Sequence, residues 1–149
     1  MKGKFVAETS ITIEATVAEV WKAITTPSLV KKYLMGTNVT TDWKSGSAIS
    51  YEGEYDGKKY HDKGIIKKIE QEKVFQSTFW SSAGGKADKP ENYNLVTYTL
   101  NGASEKTIVT LTQDNVGSEE EKEHVTGNWK AVLRKLKEVV EKQYAMAHH

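Results

Sequence analysis

The chain has 149 residues, 38% hydrophobic and 28% charged, which suits one domain over 1–149 with a core of its own. With 21 basic and 20 acidic side chains and a net charge of +1, no bulk field draws it to nucleic acid or to an acidic membrane surface. The lack of cysteine excludes disulfides, thiolate metal sites and a thiol nucleophile, and suits a reducing compartment.

Residues 5–14 alternate, with Phe5, Ala7, Thr9, Ile11 and Ile13 on one face of a first strand. Thr16 with Glu19 three residues on has the form of a capping box. The helix behind it, Val17–Thr25, lines up Val17, Val20, Trp21 and Ile24, and Pro27 ends it. Ser28 is placed as the cap of a second short helix, whose apolar stripe is Leu29, Val30, Tyr33 and Leu34 and whose stop is Gly36.

Over residues 39–116 the period changes to two. Residues 47–55 carry Ile49, Tyr51 and Tyr55 on one face, Asp56-Gly57 is a hairpin turn, and residues 59–69 return with Gly64 at a bend or bulge. Residues 73–80 form a strand with two candidate inner faces: Gln76, Thr78 and Trp80, or Phe75, Ser77 and Phe79. Residues 81–92 read as a long polar loop and a candidate lid. Residues 93–100 and 106–113 pair through a turn placed at Asn101-Gly102.

Ser118 caps the last helix, and Glu119 to Glu121 suit its positive end. The helix is expected over 118–143, with Val125, Trp129, Val132, Leu133, Leu136, Val139 and Val140 in one stripe. Roughly 26 residues at ~1.5 Å each make a rod of about 39 Å, which needs an apolar sheet of comparable breadth. The layout is α+β: a curved antiparallel sheet of about six to seven strands, two short helices, and a long C-terminal helix packed across the sheet. No apolar run is long enough to span a bilayer, and MKGKFVAETS lacks a signal-peptide core. A cytoplasmic setting is expected.

Several stretches, taken in order, resemble one known family: AEVWKAITTPSLVKKY at 18–33, DWKSGS at 42–47, YEGEYDGKKYHDKG at 51–64, DKPENY at 88–93, LTQDN at 111–115, and the Trp129/Leu133/Leu136 stripe. The chain is similar to the SRPBCC (START-like) superfamily, and within it to proteins like the activator of heat-shock-protein-90 ATPase. The resemblance implies a helix-grip fold with a cavity between the last helix and the sheet. It also implies one of three roles: a binder of a small apolar ligand, a cyclase or hydrolase acting on such a molecule, or a co-chaperone-like module. A chaperone partner goes with the third, and a homodimer stands as a separate expectation. Tyr33 stands where the family often has tryptophan, and Asn128 where it often has glycine.

The ligand-binding candidates are therefore the rings and large apolar groups Trp21, Tyr33, Tyr51, Tyr55, Trp80, Tyr98, Trp129 and Leu133, with Gln76 and Gln113 as polar handles. The same groups would serve in a packed core, which a domain of this size needs in any case. No catalytic residue, cofactor or metal ligand set stands out. His61-Asp62 and Glu123-His124 are adjacent pairs, and neighbours on a strand or a helix do not face each other. The phosphate-loop, dinucleotide and zinc-protease motifs do not occur.

Overall fold

Capping and alternation decide where the elements begin and which side they bury. The computed structural model describes residues 4–82 and 85–147, except the side chains of Tyr55 and Ala147. Strand β1 (Phe5–Ile13) buries Ala7, Thr9 and Ile13. Helix α1 (Val17–Thr25) starts at Thr16, whose hydroxyl accepts the Glu19 N–H at 3.4 Å, and buries Val20, Trp21, Ala23 and Ile24. Helix α2 (Pro27–Tyr33) departs from expectation. It opens on Pro27 after Thr26, with no side-chain cap from Ser28. Proline suits a first helical position because its fixed φ is already helical and its missing N–H is not needed there.

Six further strands follow: β2 (Asn38–Thr41), β3 (Ala48–Tyr55), β4 (Lys58–Glu70), β5 (Val74–Ser81), β6 (Asn94–Ala103) and β7 (Lys106–Val116). They form one antiparallel sheet with β1, in the order β1-β7-β6-β5-β4-β3-β2. Hairpin connections explain this order everywhere except at β1, which returns to pair with the last strand.

Two glycines mark close approaches and not the features expected of them. Asn101 and Gly102 continue β6 opposite Ile108 and Thr107, and the chain reverses at Ser104, which has a φ of +59°. A Cβ on Gly102 would lie 3.0 Å from Val17 Cβ, so this glycine lets α1 pack onto the sheet. At Gly64 a Cβ would lie 1.7 Å from the Thr78 carbonyl oxygen. The register shift between β4 and β5 falls further along, between Ile66 and Lys68.

Helix α3 (Glu119–Ala147) extends four residues past the expected end at Gln143. The Ser118 hydroxyl accepts the Glu121 N–H at 3.1 Å. Leu133, Leu136 and Val140 are fully buried and share a core with Ile13, Val20, Ile24, Val30 and Leu111. A polar clamp ties the same helix to the end of β1. Lys137 Nζ donates to the Thr12 carbonyl at 2.8 Å, and Glu141 accepts the Glu14 N–H at 2.8 Å while pairing with Lys137. Burial pushes the Glu141 carboxyl up, but Lys137 and the Glu14 N–H together hold it below its ordinary value. Among the described residues no helix is long and apolar enough to cross a membrane.

Candidate functional site

The alternation of the strands aims one side chain in two at α3, and midway along the sheet the helix does not fill the space. A cleft of about 600 Å³ lies there. Its helical wall is Val125, Asn128, Trp129 and Val132, and the segment after α2 adds Leu34 and Thr37. The floor comes from five strands: Tyr51 of β3, Tyr60 and Asp62 of β4, Ser77, Phe79 and Ser81 of β5, Val96 and Tyr98 of β6, and Gln113 of β7. Register sets these side chains in rows. Tyr51 stands opposite Asp62 and Asp62 opposite Ser81, while Ser77 stands opposite Val96 and Val96 opposite Gln113. A larger hollow of about 890 Å³ at the β4–β5 turn is lined by exposed charged groups such as Lys68, Glu70 and Lys73. Its few apolar groups, such as Val17 and Val74, are mixed with these charges, and the lining is less apolar than that of the cleft.

Aromatic contacts fix the cleft's walls. Trp129 meets Tyr98 edge to face with centroids 6.2 Å apart, and Phe79 meets Tyr51 likewise at 6.0 Å. The Trp129 Nε1–H donates to Gln113 Oε1 at 2.7 Å, so both are held at the wall. Thr37 donates to the Leu34 carbonyl at 2.8 Å, which leaves the Tyr60 hydroxyl as donor in its 2.5 Å bond with Thr37. Burial raises the hydroxyls of Tyr33, Tyr51 and Tyr98 above their ordinary value of 10, so all three are neutral at physiological pH. Tyr33 is bonded to Tyr98, and Tyr51 to Ser77.

Asp62 is the acidic group of this wall. Burial pushes its carboxyl above the ordinary 3.8, partly offset by hydrogen bonds from Ser81 and Ser82 and by His61. Its Oδ1 is buried and, among the described residues, has no hydrogen-bond partner. Sequence reasoning weighed Asp62 only as a neighbour of His61 and missed it. The available signal was parity, since Asp62 shares its strand face with Tyr60, Gly64 and the buried Ile66.

Of the ten candidate residues, the structure brings Tyr51, Tyr98, Gln113 and Trp129 together around the cleft. Tyr33 lies buried behind Tyr98. Trp21 and Leu133 belong to the packed core and do not reach the cleft, because α1 and the underside of α3 are covered by other apolar groups. Gln76 and Trp80 are corrections. Phe75 and Ser77 are the buried residues of β5, so Gln76 and Trp80 face the other side of the sheet, where Gln76 donates to Thr97 at 3.0 Å. The side chain of Tyr55 lies outside the described residues. Asn128 lines the cleft wall.

Trp80 also corrects the reading of residues 81–92 as a lid. Its Nε1–H donates to the carbonyls of Lys86 and Ala87, both at 3.2 Å, and its ring stacks on Tyr93. Lys63 Nζ pairs with Asp88 at 2.6 Å and sits over the Trp80 ring. Residues 85–92 of this loop are thus tied to the outer face of the sheet; residues 83 and 84 lie outside the described set. His61 is exposed 4.0 Å from an exposed Glu52, and His124 is exposed on α3.

A curved antiparallel sheet gripped by one long C-terminal helix over a cleft defines a helix-grip protein of START-like type. The family described as "Activator of Hsp90 ATPase homolog 1-like protein" matches residues 14–141, and the chain belongs to that family. A solution structure from Cytophaga hutchinsonii is 39% identical, with a TM-score of 0.83, over 97% of this chain and 99% of that one. The Aha1 dimer from Colwellia psychrerythraea is 19% identical with a TM-score of 0.72, over 93% and 97% of the two chains. DynU16 of the dynemicin biosynthetic locus is 18% identical with a TM-score of 0.78, over 95% of this chain but 49% of its own. The latter two show the shared fold alone. No curated protein matches the chain.

Proposed function

We propose that this protein binds a small, largely apolar molecule in the cleft between α3 and the sheet, without transforming it. The observation that carries this reading is the lining itself: Phe79, Val96, Val125, Trp129 and Val132 supply apolar wall, while the buried tyrosines supply neutral hydroxyls. Cavities of a few hundred Å³ with this mixture are the usual form of small-molecule sites. An enzyme working through a covalent intermediate would need a nucleophile paired with a base. His61 and His124 both stand on outer surfaces, away from the lining of the cleft. A cytoplasmic setting goes with this reading.

Burying about 400 Å² of apolar surface would contribute roughly 10 kcal/mol, which association costs reduce to the micromolar range. The test is N-phenyl-1-naphthylamine, a neutral dye whose fluorescence rises in apolar surroundings. Wild type should bind it with micromolar affinity, and Val132→Trp, which fills the space beside Trp129, should weaken binding about tenfold. Folded wild type that leaves the dye dark, or a variant that binds equally well, would remove this reading. It would leave the co-chaperone-like interaction module, which stimulation of a chaperone ATPase would then check, with a homodimer, as in the Colwellia psychrerythraea Aha1 structure, checked by its mass in solution.

A further inference from the structure

The cleft's polar groups are not scattered. Tyr51, Asp62 and Ser81 stand side by side across three strands, and Tyr60 is two residues from Asp62 on the same face. Most of these hydroxyls are already engaged: Tyr60 with Thr37, Tyr51 with Ser77, and Ser81 with Asp62. Asp62 Oδ1 is the exception: it is closed to solvent and has no partner among the described residues, on a residue that lines the cleft. A carboxylate oxygen withdrawn from water without a donor is costly, and buried polar atoms in folded proteins are nearly always satisfied.

We propose that Asp62 is the polar anchor of the cleft and that the ligand is an apolar molecule bearing a hydroxyl, which donates its hydrogen bond to Asp62 Oδ1. This rests on the binding reading above and narrows its ligand class. Three observations support it. Ser81 and Ser82 both donate toward the same carboxyl, which leaves Oδ1 as its acceptor without a donor among the described residues. The rest of the wall near it is neutral, which favours an uncharged donor, because an ammonium group would have to be desolvated as well. The apolar wall of Val125, Trp129 and Val132 faces the floor on which Asp62 stands, giving the ligand's body a place distinct from its hydroxyl.

A matched pair of ligands isolates this bond. 2-Naphthol and 2-methoxynaphthalene share an apolar body, but only the naphthol can donate. Each is titrated as a competitor of N-phenyl-1-naphthylamine against wild type, Asp62→Leu and Asp62→Asn, with circular dichroism confirming that each variant is folded. Wild type should prefer the naphthol by about tenfold or more, the size expected for a hydrogen bond to a charged or buried acceptor. Asp62→Leu should lose that preference while binding the ether within about threefold of wild type. Asp62→Asn, which retains an acceptor oxygen, should keep part of it. Equal affinity of wild type for the two compounds, or a preference that survives in Asp62→Leu, would overturn the anchor while leaving the apolar cleft intact. Loss of dye binding by wild type itself would take down both.

Discussion

Leu133→Ala tests the gripping helix directly. Leu133 is 1% exposed, next to the equally closed Leu136 and Val140 on the face of α3 that meets the core. Removing three buried carbons forfeits about 2.4 kcal/mol of transfer free energy at ~0.8 kcal/mol per carbon. The cavity left behind adds a term that grows with its unrelaxed volume, so the total should be about 3–4 kcal/mol. Relaxation should be small, because the site is walled by side chains from α1, α2 and the sheet. Val132, one residue earlier, borders the cleft and is half-buried. Val132→Ala should therefore cost only about 1 kcal/mol, since it enlarges a space that already exists. Urea unfolding followed by tryptophan fluorescence and by circular dichroism gives both values, with the slope of each transition checking two-state behaviour. A loss under ~0.5 kcal/mol for Leu133→Ala, or a larger loss for Val132→Ala, would refute the assignment of core face and cleft face.

Two further substitutions probe the sheet. Asp62 has its carboxyl raised by burial, so the native state holds that proton more tightly than the unfolded chain. The stability this lends is complete below the ordinary value of 3.8 and is lost as pH rises through the raised native value. Asp62→Asn cannot lose it, so its stability relative to wild type should climb with pH to a gain of about 1 kcal/mol near neutrality; a difference that is flat with pH, measured by urea titrations at several pH values, would contradict the burial argument. Gly64→Ala would drive a methyl group into the Thr78 carbonyl, a backbone atom that cannot swing aside. We expect a loss of about 3 kcal/mol and altered amide exchange along β4 and β5, and near-wild-type unfolding would show that the strands can separate there.

The family resemblance and the periodicities led to the same architecture by separate routes. The stripe from Val125 to Val140 marked α3, and a helix that long needs a broad sheet beneath it. The misplacements have physical causes. Ser28 looks like a cap, but proline at position 27 already supplies the φ of a first helical residue. Asn101-Gly102 looks like a turn, but that glycine serves an approach by Val17, a residue 85 positions away in the chain. Local turn chemistry and long-range packing both call for glycine, and only the second neighbour tells them apart.

The amino-acid order by itself determined what is local: the caps at Thr16 and Ser118, the alternation of the strands, the one-sided helices and a charge balance with no strong field. These follow from dihedral preference and hydrophobic period, which act over a few residues. The tertiary structure alone decided which face of β5 turns inward, because Phe75, Ser77 and Phe79 compete with Gln76, Thr78 and Trp80 on nearly equal terms until β4 and β6 set the register. A shift of one residue would exchange the two sets completely. It also decided that Asp62 stands between Tyr51 and Ser81, residues drawn from three strands, since pairing across a sheet is a property of the assembled chain and leaves no trace in the spacing of any single segment.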